Sequence, residues 1–545
     1  METYNTEWLP HLPNEVVADA RGWNLDAYVV ALEGWRRGLT LRWHTKDSEE
    51  FPNMKTWYVD SPGRLFSLSS DEKTHYFFRT RGDKVTNEAV EIGGDKAKTK
   101  EVLTEQNIPV PKGKQFSVDD KEELIEYAKE IGYPVVIKPT DGSFGRDVHT
   151  EIETDEQLIL ALEAIKQNKQ NKNVIVEQHI PGKDYRIYVV GDKAVAAMMR
   201  LPANVIGDGK KSIRRLIEEK NEIRKDNPRL ISCPIEVDVD LENYIAEQGY
   251  QLSSVLEKDK QLFLTDKANI STGGDPVTVT EDMPREVMEV AVKALQAIPG
   301  LHHGAVDIIV DERKQIEEAA YVIEVNPTSQ LGGLMFPMVG KPCDVPAAII
   351  DYYFPETKEV NTDKEKMYFD FSDVLSPLES NSANVSMVTP MPTGKLYAKK
   401  YTVIGDVQQL GYHMGLRKQA FERKLNGVVL NKEDGSIDVA VCGTDPEMVD
   451  DFENGLWEDP ERSTVIEVHQ SEWNQPMKVG FEIKGDLKTE TEEIERLIKA
   501  IEQTEYELKR AEKEQQKYYN SFSWKITWPI RFFGAIVKRI KGEEI

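Results

Sequence analysis

Between residues 94 and 355 the chain alternates amphipathic stretches of helical period with short apolar runs of strand length, and this pattern constrains the fold most. KAKTKEVLTEQN reads as helix, IPVPKGKQF as extended because two prolines bar a helix, and KEELIEYAKEI as an amphipathic helix. PVVIKP is a buried strand, EQLILALEAI another helix, and NVIVEQ, DYRIYVVG and AVAAMMRL continue as strands. Such alternation implies an α/β or α+β enzyme core. The chain has 545 residues, so at about 150 per domain three to four units are expected.

The flanks divide accordingly. Residues 1–93 read as a small α/β unit, with a helix running into a strand near Gly38 and two further strands in LFSLSS and THYFFRT. Residues 356–393, rich in Ser, Pro, Asn and acids, read as an exposed, mobile linker. Residues 394–484 follow the order strand, helix, strand, strand, helix, strand. Residues 485–520 form a charged helix in which Ile494, Leu497, Ile501, Leu508 and Ala511 fall on heptad a and d positions. That helix is either solvated alone or a short coiled coil that builds a homo-oligomer. The tail 521–545 interleaves Lys525, Arg531, Lys538, Arg539 and Lys541 with Trp and Phe, a pattern that suits either a peripheral membrane contact or a protein partner.

A net charge of −26, from 95 acidic against 69 basic residues, argues against nucleic acid as a partner. Three cysteines, Cys233, Cys343 and Cys442, are too far apart to draw a zinc cluster or a disulfide framework. With no signal-peptide pattern and no apolar run of about 18 residues, the expected location is the cytoplasm, at most at the inner face of the membrane.

Two elements carry chemistry. PVVIKP delivers Lys138 beside TDGSFGR, a glycine-containing loop whose N–H groups can approach phosphate oxygens while the ammonium neutralises them. Downstream, Asp307 interrupts the apolar run HHGAVDIIVDE, and Glu324 and Asn326 interrupt YVIEVNP. Glu324 and Asn326 are two apart on a strand and so share a face. Two carboxylates and a carboxamide are hard oxygen donors suited to Mg²⁺ on nucleotide phosphates, with Mn²⁺ the alternative ion.

In order along the chain, DKAKTKEVLTEQNIPVP, YPVVIKPTDGSFGRDV, VIVEQHIPGKDYRIYVVGDKAVAA and GAVDIIV…YVIEVNP resemble the ATP-grasp superfamily. RLPANVIGDGKKSIRRLIEEKN and ANISTGGDPVTVT are similar to the ATP-grasp portion of cyanophycin synthetases and bifunctional glutathione synthetases. The resemblance covers 94–355. It implies that Lys96 and Lys138 contact ATP phosphates under a loop containing Gly142, Ser143 and Gly145. It also implies that Glu177 and Ile180 bind adenine, that Asp184 holds the ribose, and that Asp307, Glu324 and Asn326 ligate the metal. Arg200, Lys267 and Asn269 then face the reacting carboxylate. The implied activity is an ATP-dependent carboxylate–amine ligase working through an acyl phosphate, with an amino acid or peptide as substrate; SWKITWPIR in the tail resembles a C-terminal motif of bacterial polysaccharide-assembly glycosyltransferases and adds an envelope polymer as a candidate.

YTVIGDVQQLGYHMGLRKQAFERKLNGVVLNKEDGSIDVAVCG resembles acylphosphatase, a ferredoxin-like βαββαβ fold. Asn431 stands where that family has its water-orienting asparagine. His413 stands at the arginine position and Gln409 replaces a loop glycine, which puts hydrolysis in doubt because neutral imidazole cannot replace a guanidinium fork. The expected whole is therefore a multidomain α/β and α+β protein: an ATP-grasp fold, an acylphosphatase-like domain and a charged C-terminal helix. Two other readings remain open here, an acylphosphatase-type hydrolase and a non-catalytic ATP-binding scaffold.

Overall fold

A computed structural model describes residues 4–5, 8–51, 53–140, 147–168, 172–360, 363–408, 410–457, 463–484 and Leu508. These fall into two compact units. One comprises Met1–Tyr397 with Cys442–Pro446 and Asn474–Gly480; the other comprises Ala398–Val441, Glu447–Trp473 and the chain from Phe481. The expected helix over 485–520, Leu508 aside, and the basic tail lie outside the described residues. Among the described residues no helix is long and apolar enough to cross a membrane.

The larger unit begins with helix Leu25–Arg36, every residue of which is buried. It packs on an antiparallel sheet of Thr40–His44, Leu65–Ser69 and Thr74–Phe78. The linker expected over 356–393 is not one. Val385–Met387 pairs with Thr40–His44 as an edge strand, and Met367–Tyr368 pairs with Met477–Lys478. Helix Phe371–Glu379 buries Phe371, Leu375 and Leu378. Phe371 lies 4.9 Å from Trp43 and 5.0 Å from Tyr28, measured between ring centroids. These apolar residues recur at i, i+4 and i+7, a helical face that average composition conceals.

A second sheet has the strand order Gly113–Ser117, Asn173–Gln178, Val135–Pro139, His149–Ile152, all antiparallel. Val135, Ile137, Val174 and Val176 point to one face and join Leu124, Leu158, Leu162 and Ile165 from helices Lys121–Ile131 and Asp155–Gln167 in a core. Each such fully buried aliphatic side chain contributes about 1.5–3 kcal/mol. The alternate residues, Lys138 and Glu177 among them, are turned to the opposite face.

Residues 179–182 lead from that sheet into a third, ordered Asp275–Thr278, Lys193–Leu201, Lys183–Val190, His303–Val310, Ala320–Asn326. Ile187, Val189, Val306, Ile308, Val322 and Val325 pack against helix Arg285–Ala297. A register shift between Asp307 and Ile308 gives the last strand one extra residue, so Val322 opposes Ile308 while Glu324 opposes Asp307. This bulge keeps the valines in the core and Glu324 on the other face. Residues 202–274 are inserted between two strands of this sheet, with their own core of Val205, Ile213, Ile217, Ile245 and Leu262. Buried Asp275 anchors the insertion, bonded to Lys220 at 2.5 Å and Arg224 at 2.9 Å.

The smaller unit has the sheet order Thr464–Glu472, Tyr397–Asp406, Ile437–Gly443, Asn426–Asn431, Phe481–Lys484, with helices Leu410–Glu422 and Pro446–Gly455. The expected βαββαβ arrangement is present. A fifth strand, Phe481–Lys484, adds parallel to Asn426–Asn431. FEIK is too short and too polar to read as a strand by pattern.

Candidate active site

Helix Lys96–Glu105 starts at an Asp95 cap whose carboxylate accepts from the N–H groups of Ala97 and Lys98. Lys100 follows Lys96 by four positions, which places both on one helical face. Lys100 reaches Glu177 and donates to Oε2, and Lys138, from the neighbouring strand, donates to Oε1 of the same carboxylate. Lys138 and Glu177 are only 5% and 4% exposed. Burial pushes Glu177 up, but Lys138 and Lys100 outweigh it and hold the carboxyl below its ordinary value. Burial pushes the Lys100 ammonium down, against the pull of Glu177. One carboxylate thus faces two ammoniums, and the cluster carries one surplus positive charge in a place that water scarcely reaches.

The carboxylate-bearing face has the opposite balance. Asp307 lies opposite Arg186 on one side and Glu324 on the other, and Ala305 lies opposite Asn326. Arg186 holds Asp307 in a fork, Nε to Oδ1 at 2.7 Å and Nη2 to Oδ2 at 2.8 Å. Arg200 makes the same fork to Asp184, at 2.6 and 2.8 Å, and its Nη1 lies 3.0 Å from Asp307 Oδ2. Burial raises the Asp307 carboxyl, yet Arg186 and Arg200 hold it below its ordinary range. Three carboxylates, Asp184, Asp307 and Glu324, meet two guanidiniums, which leaves one negative charge. Beside them the Asn326 carboxamide has a buried Nδ2 with no partner. The oxygen and nitrogen of a carboxamide exchange places by a flip, so an orphaned position there also suits a cation-binding oxygen. Hard oxygen donors, net negative charge and an unsatisfied carboxamide fit a divalent cation.

The remaining expected residues are placed as follows. Lys96 is half-buried at the helix start and Ile180 is buried in the segment between the sheets. Lys267 is exposed, and the Asn269 side chain accepts from the Ser271 N–H at 2.9 Å, closing a turn. Gly142, Ser143 and Gly145 lie outside the described residues. Lys100 and Arg186 were not anticipated. Each stands in helical or strand register with an expected residue, Lys100 with Lys96 and Arg186 with Asp184, and that register is the signal that finds them.

In the smaller unit, His413 is 3% exposed on helix Leu410–Glu422, and its Nε2 has no partner; Asn431, at the end of its strand, has an unpartnered Oδ1. Gln408 Nε2 ties the loop before the helix to the hairpin carbonyls of Lys432 at 2.7 Å and Ser436 at 2.9 Å. Burial pushes the His413 imidazole below its ordinary value, so it is neutral at pH 7. Gln409 is outside the described residues.

Residues 93–227 match the family profile of the RimK-like ATP-grasp domain, and residues 399–483 match that of acylphosphatase. Two segments of the chain are therefore similar to known domains, one to the RimK-like ATP-grasp domain and one to acylphosphatase. The ATP-grasp match spans Lys100, Lys138, Glu177, Asp184, Arg186 and Arg200 and ends before Asp307, which the sheet register brings opposite Arg186. Cyanophycin synthetase from Trichormus variabilis is 36% identical over 281 residues, 51% of this chain and 31% of that protein. The glutathione biosynthesis bifunctional protein of Desulfotalea psychrophila is 32% identical over 261 residues, 47% of this chain and 33% of that protein. The chain therefore spans about a third of the length of the curated relatives it matches. A bifunctional glutathione synthetase structure from Pasteurella multocida is 28% identical, with a TM-score of 0.43, over 54% of this chain and 41% of that one.

Proposed function

We propose that this protein is an ATP-dependent carboxylate–amine ligase. The observation that carries the reading is the facing pair Asp307 and Glu324, joined by Asn326 and flanked by Arg186 and Arg200, in the same unit as the Lys138 cluster. A cluster with one surplus positive charge suits the phosphates of ATP, and a face with one surplus negative charge suits the Mg²⁺ that accompanies them. Asp307, Glu324 and Asn326 would hold that ion, and bound there it would neutralise phosphate charge. Mn²⁺ offers the same chemistry to the same oxygens.

In this reading a carboxylate oxygen of the substrate attacks the γ-phosphorus, the bond to the bridging oxygen breaks, and ADP leaves an acyl phosphate. An amine nitrogen then attacks the acyl carbon, phosphate departs, and the nitrogen gives up a proton to yield the amide. Both steps need charge neutralisation and alignment more than a strong base, which suits a site of lysines and arginines. The roles of Lys96, Lys138 and Glu177 at phosphates and hinge, of Ile180 at adenine, of Asp184 at the ribose, and of Arg200, Lys267 and Asn269 toward the carboxylate belong to the same reading. The relatives are named for cyanophycin and glutathione synthesis, so amino acids and peptides are the substrate class.

Release of ADP by the full chain across a panel of amino acids and peptides tests this. ADP formation that requires both a carboxylate and an amine supports the ligase. Phosphate released from an acyl phosphate, with no ADP formation that depends on a carboxylate and an amine, points instead to the hydrolase, and neither activity to a scaffold.

A further inference from the structure

Lys100 and Lys138 reach Glu177 from different elements and are anchored differently. Lys100 has a second acceptor, the Pro111 carbonyl at 3.1 Å. Among the described residues Lys138 has only Glu177. The backbone is shaped around the contact, because a Cβ on Gly113 would come within 2.6 Å of Glu177 Cβ and 2.7 Å of Lys100 Nζ. A cluster of two ammoniums and one carboxylate, nearly closed to water, is electrostatically balanced only when an anion joins it. Either lysine can leave with Glu177 still paired to the other, but Lys100 is also tethered to the Pro111 carbonyl, so Lys138 is the one free to turn to an incoming anion.

We propose that Lys100 is a positioning residue for nucleotide phosphates: it holds the Glu177 carboxylate so that Lys138 can exchange that carboxylate for a phosphate oxygen. The inference rests on the ATP-dependent reading above and adds a residue to it. Without Lys100 the remaining pair is charge-neutral, and Lys138 can turn to phosphate only by stranding a buried carboxylate. Removing Lys100 therefore moves stability and nucleotide affinity in opposite directions, which a scaffolding role for its side chain does not do.

The test uses the full chain, wild type, Lys100→Met and Lys100→Arg, with calorimetric binding of ADP in the presence of Mg²⁺ and thermal unfolding without nucleotide. Expected are at least about tenfold weaker binding in Lys100→Met, the worth of one charge-assisted hydrogen bond, and a ligand-free Tm no lower than wild type. Lys100→Arg, which keeps the charge, should restore most of the affinity. Binding by Lys100→Met within twofold of wild type overturns the proposal while leaving the ATP reading intact. So does a fall in Tm that tracks the loss of binding with no rescue by Lys100→Arg. Absence of ADP binding by the wild type itself overturns both.

Discussion

Arg200 and Asp184 form a two-pronged pair across adjacent strands, with Nε and Nη2 on the two carboxylate oxygens at 2.6 and 2.8 Å. The third nitrogen of the same guanidinium reaches Asp307, so one planar group fixes two carboxylates at once. A lysine carries the charge but not the fork. Arg200→Lys should therefore lower substrate-dependent ADP release by about 100-fold or more, and cost roughly 2 kcal/mol of stability by leaving Asp184 or Asp307 short of a partner. Steady-state assays and denaturant unfolding of the variant check both figures.

Asp275 makes a separate claim about the inserted segment. Its carboxylate bonds Lys220, Arg224 and Asn204, and all four side chains are buried. Asp275→Ala strands two buried cations and should cost about 3–5 kcal/mol. Replacing a buried acid that had no such partners would not. Chemical denaturation of the variant measures the loss, and limited proteolysis should find the first cuts within residues 202–274.

His303 sets a pH dependence. Burial, first, and then the charges of His302, Arg81 and Lys84 push its imidazole down to about 3, and it bonds the Tyr188 hydroxyl at 3.1 Å and that of Tyr353 at 3.2 Å. The unfolded chain takes up this proton near pH 6.5 and the folded one does not until about 3. The stabilisation is complete above about pH 6.5 and is lost as pH falls toward 3, at about 1.4 kcal/mol per pH unit for one proton. His303→Gln should flatten the stability profile in that window by about that slope, read from urea unfolding at stepped pH.

In the acylphosphatase-like unit, the resemblance would set an anion beside His413 and Asn431, whose Nε2 and Oδ1 are buried without a partner. A neutral, buried imidazole is a poor clamp for it. The full chain should hydrolyse a small acyl phosphate slowly at pH 7, and His413→Arg should raise that rate by about tenfold or more. Phosphate release without ATP is the assay, with Asn431→Ala as the control that returns the rate to background.

Much of this was legible in the sequence because it rests on local period and residue type. The strand carrying Lys138 and the alternation that sets Glu324 apart from Val325 follow from side chains two residues apart sharing a face. The partner of Asp307 was not legible, because strand register joins residues far apart in the chain and a bulge shifts it by one. Lys100 was missed for a related reason: its register with Lys96 marks the helix face it stands on, but not the carboxylate it meets from another element. The supposed linker failed differently. Its Ser and acidic residues, Ser372, Asp373, Ser376 and Glu379, form the outer face of helix Phe371–Glu379, while Phe371, Leu375 and Leu378 decided where the segment sits.

The account stands on Lys138 and Glu324 serving one reaction. With whichever carboxylate and amine drive ADP release by the full chain, the measurement is the same release by Lys138→Ala and Glu324→Ala, each verified as folded by its unfolding curve. The account predicts that both variants lose substrate-dependent ADP formation to background. Wild-type ATP consumption in either one would contradict it.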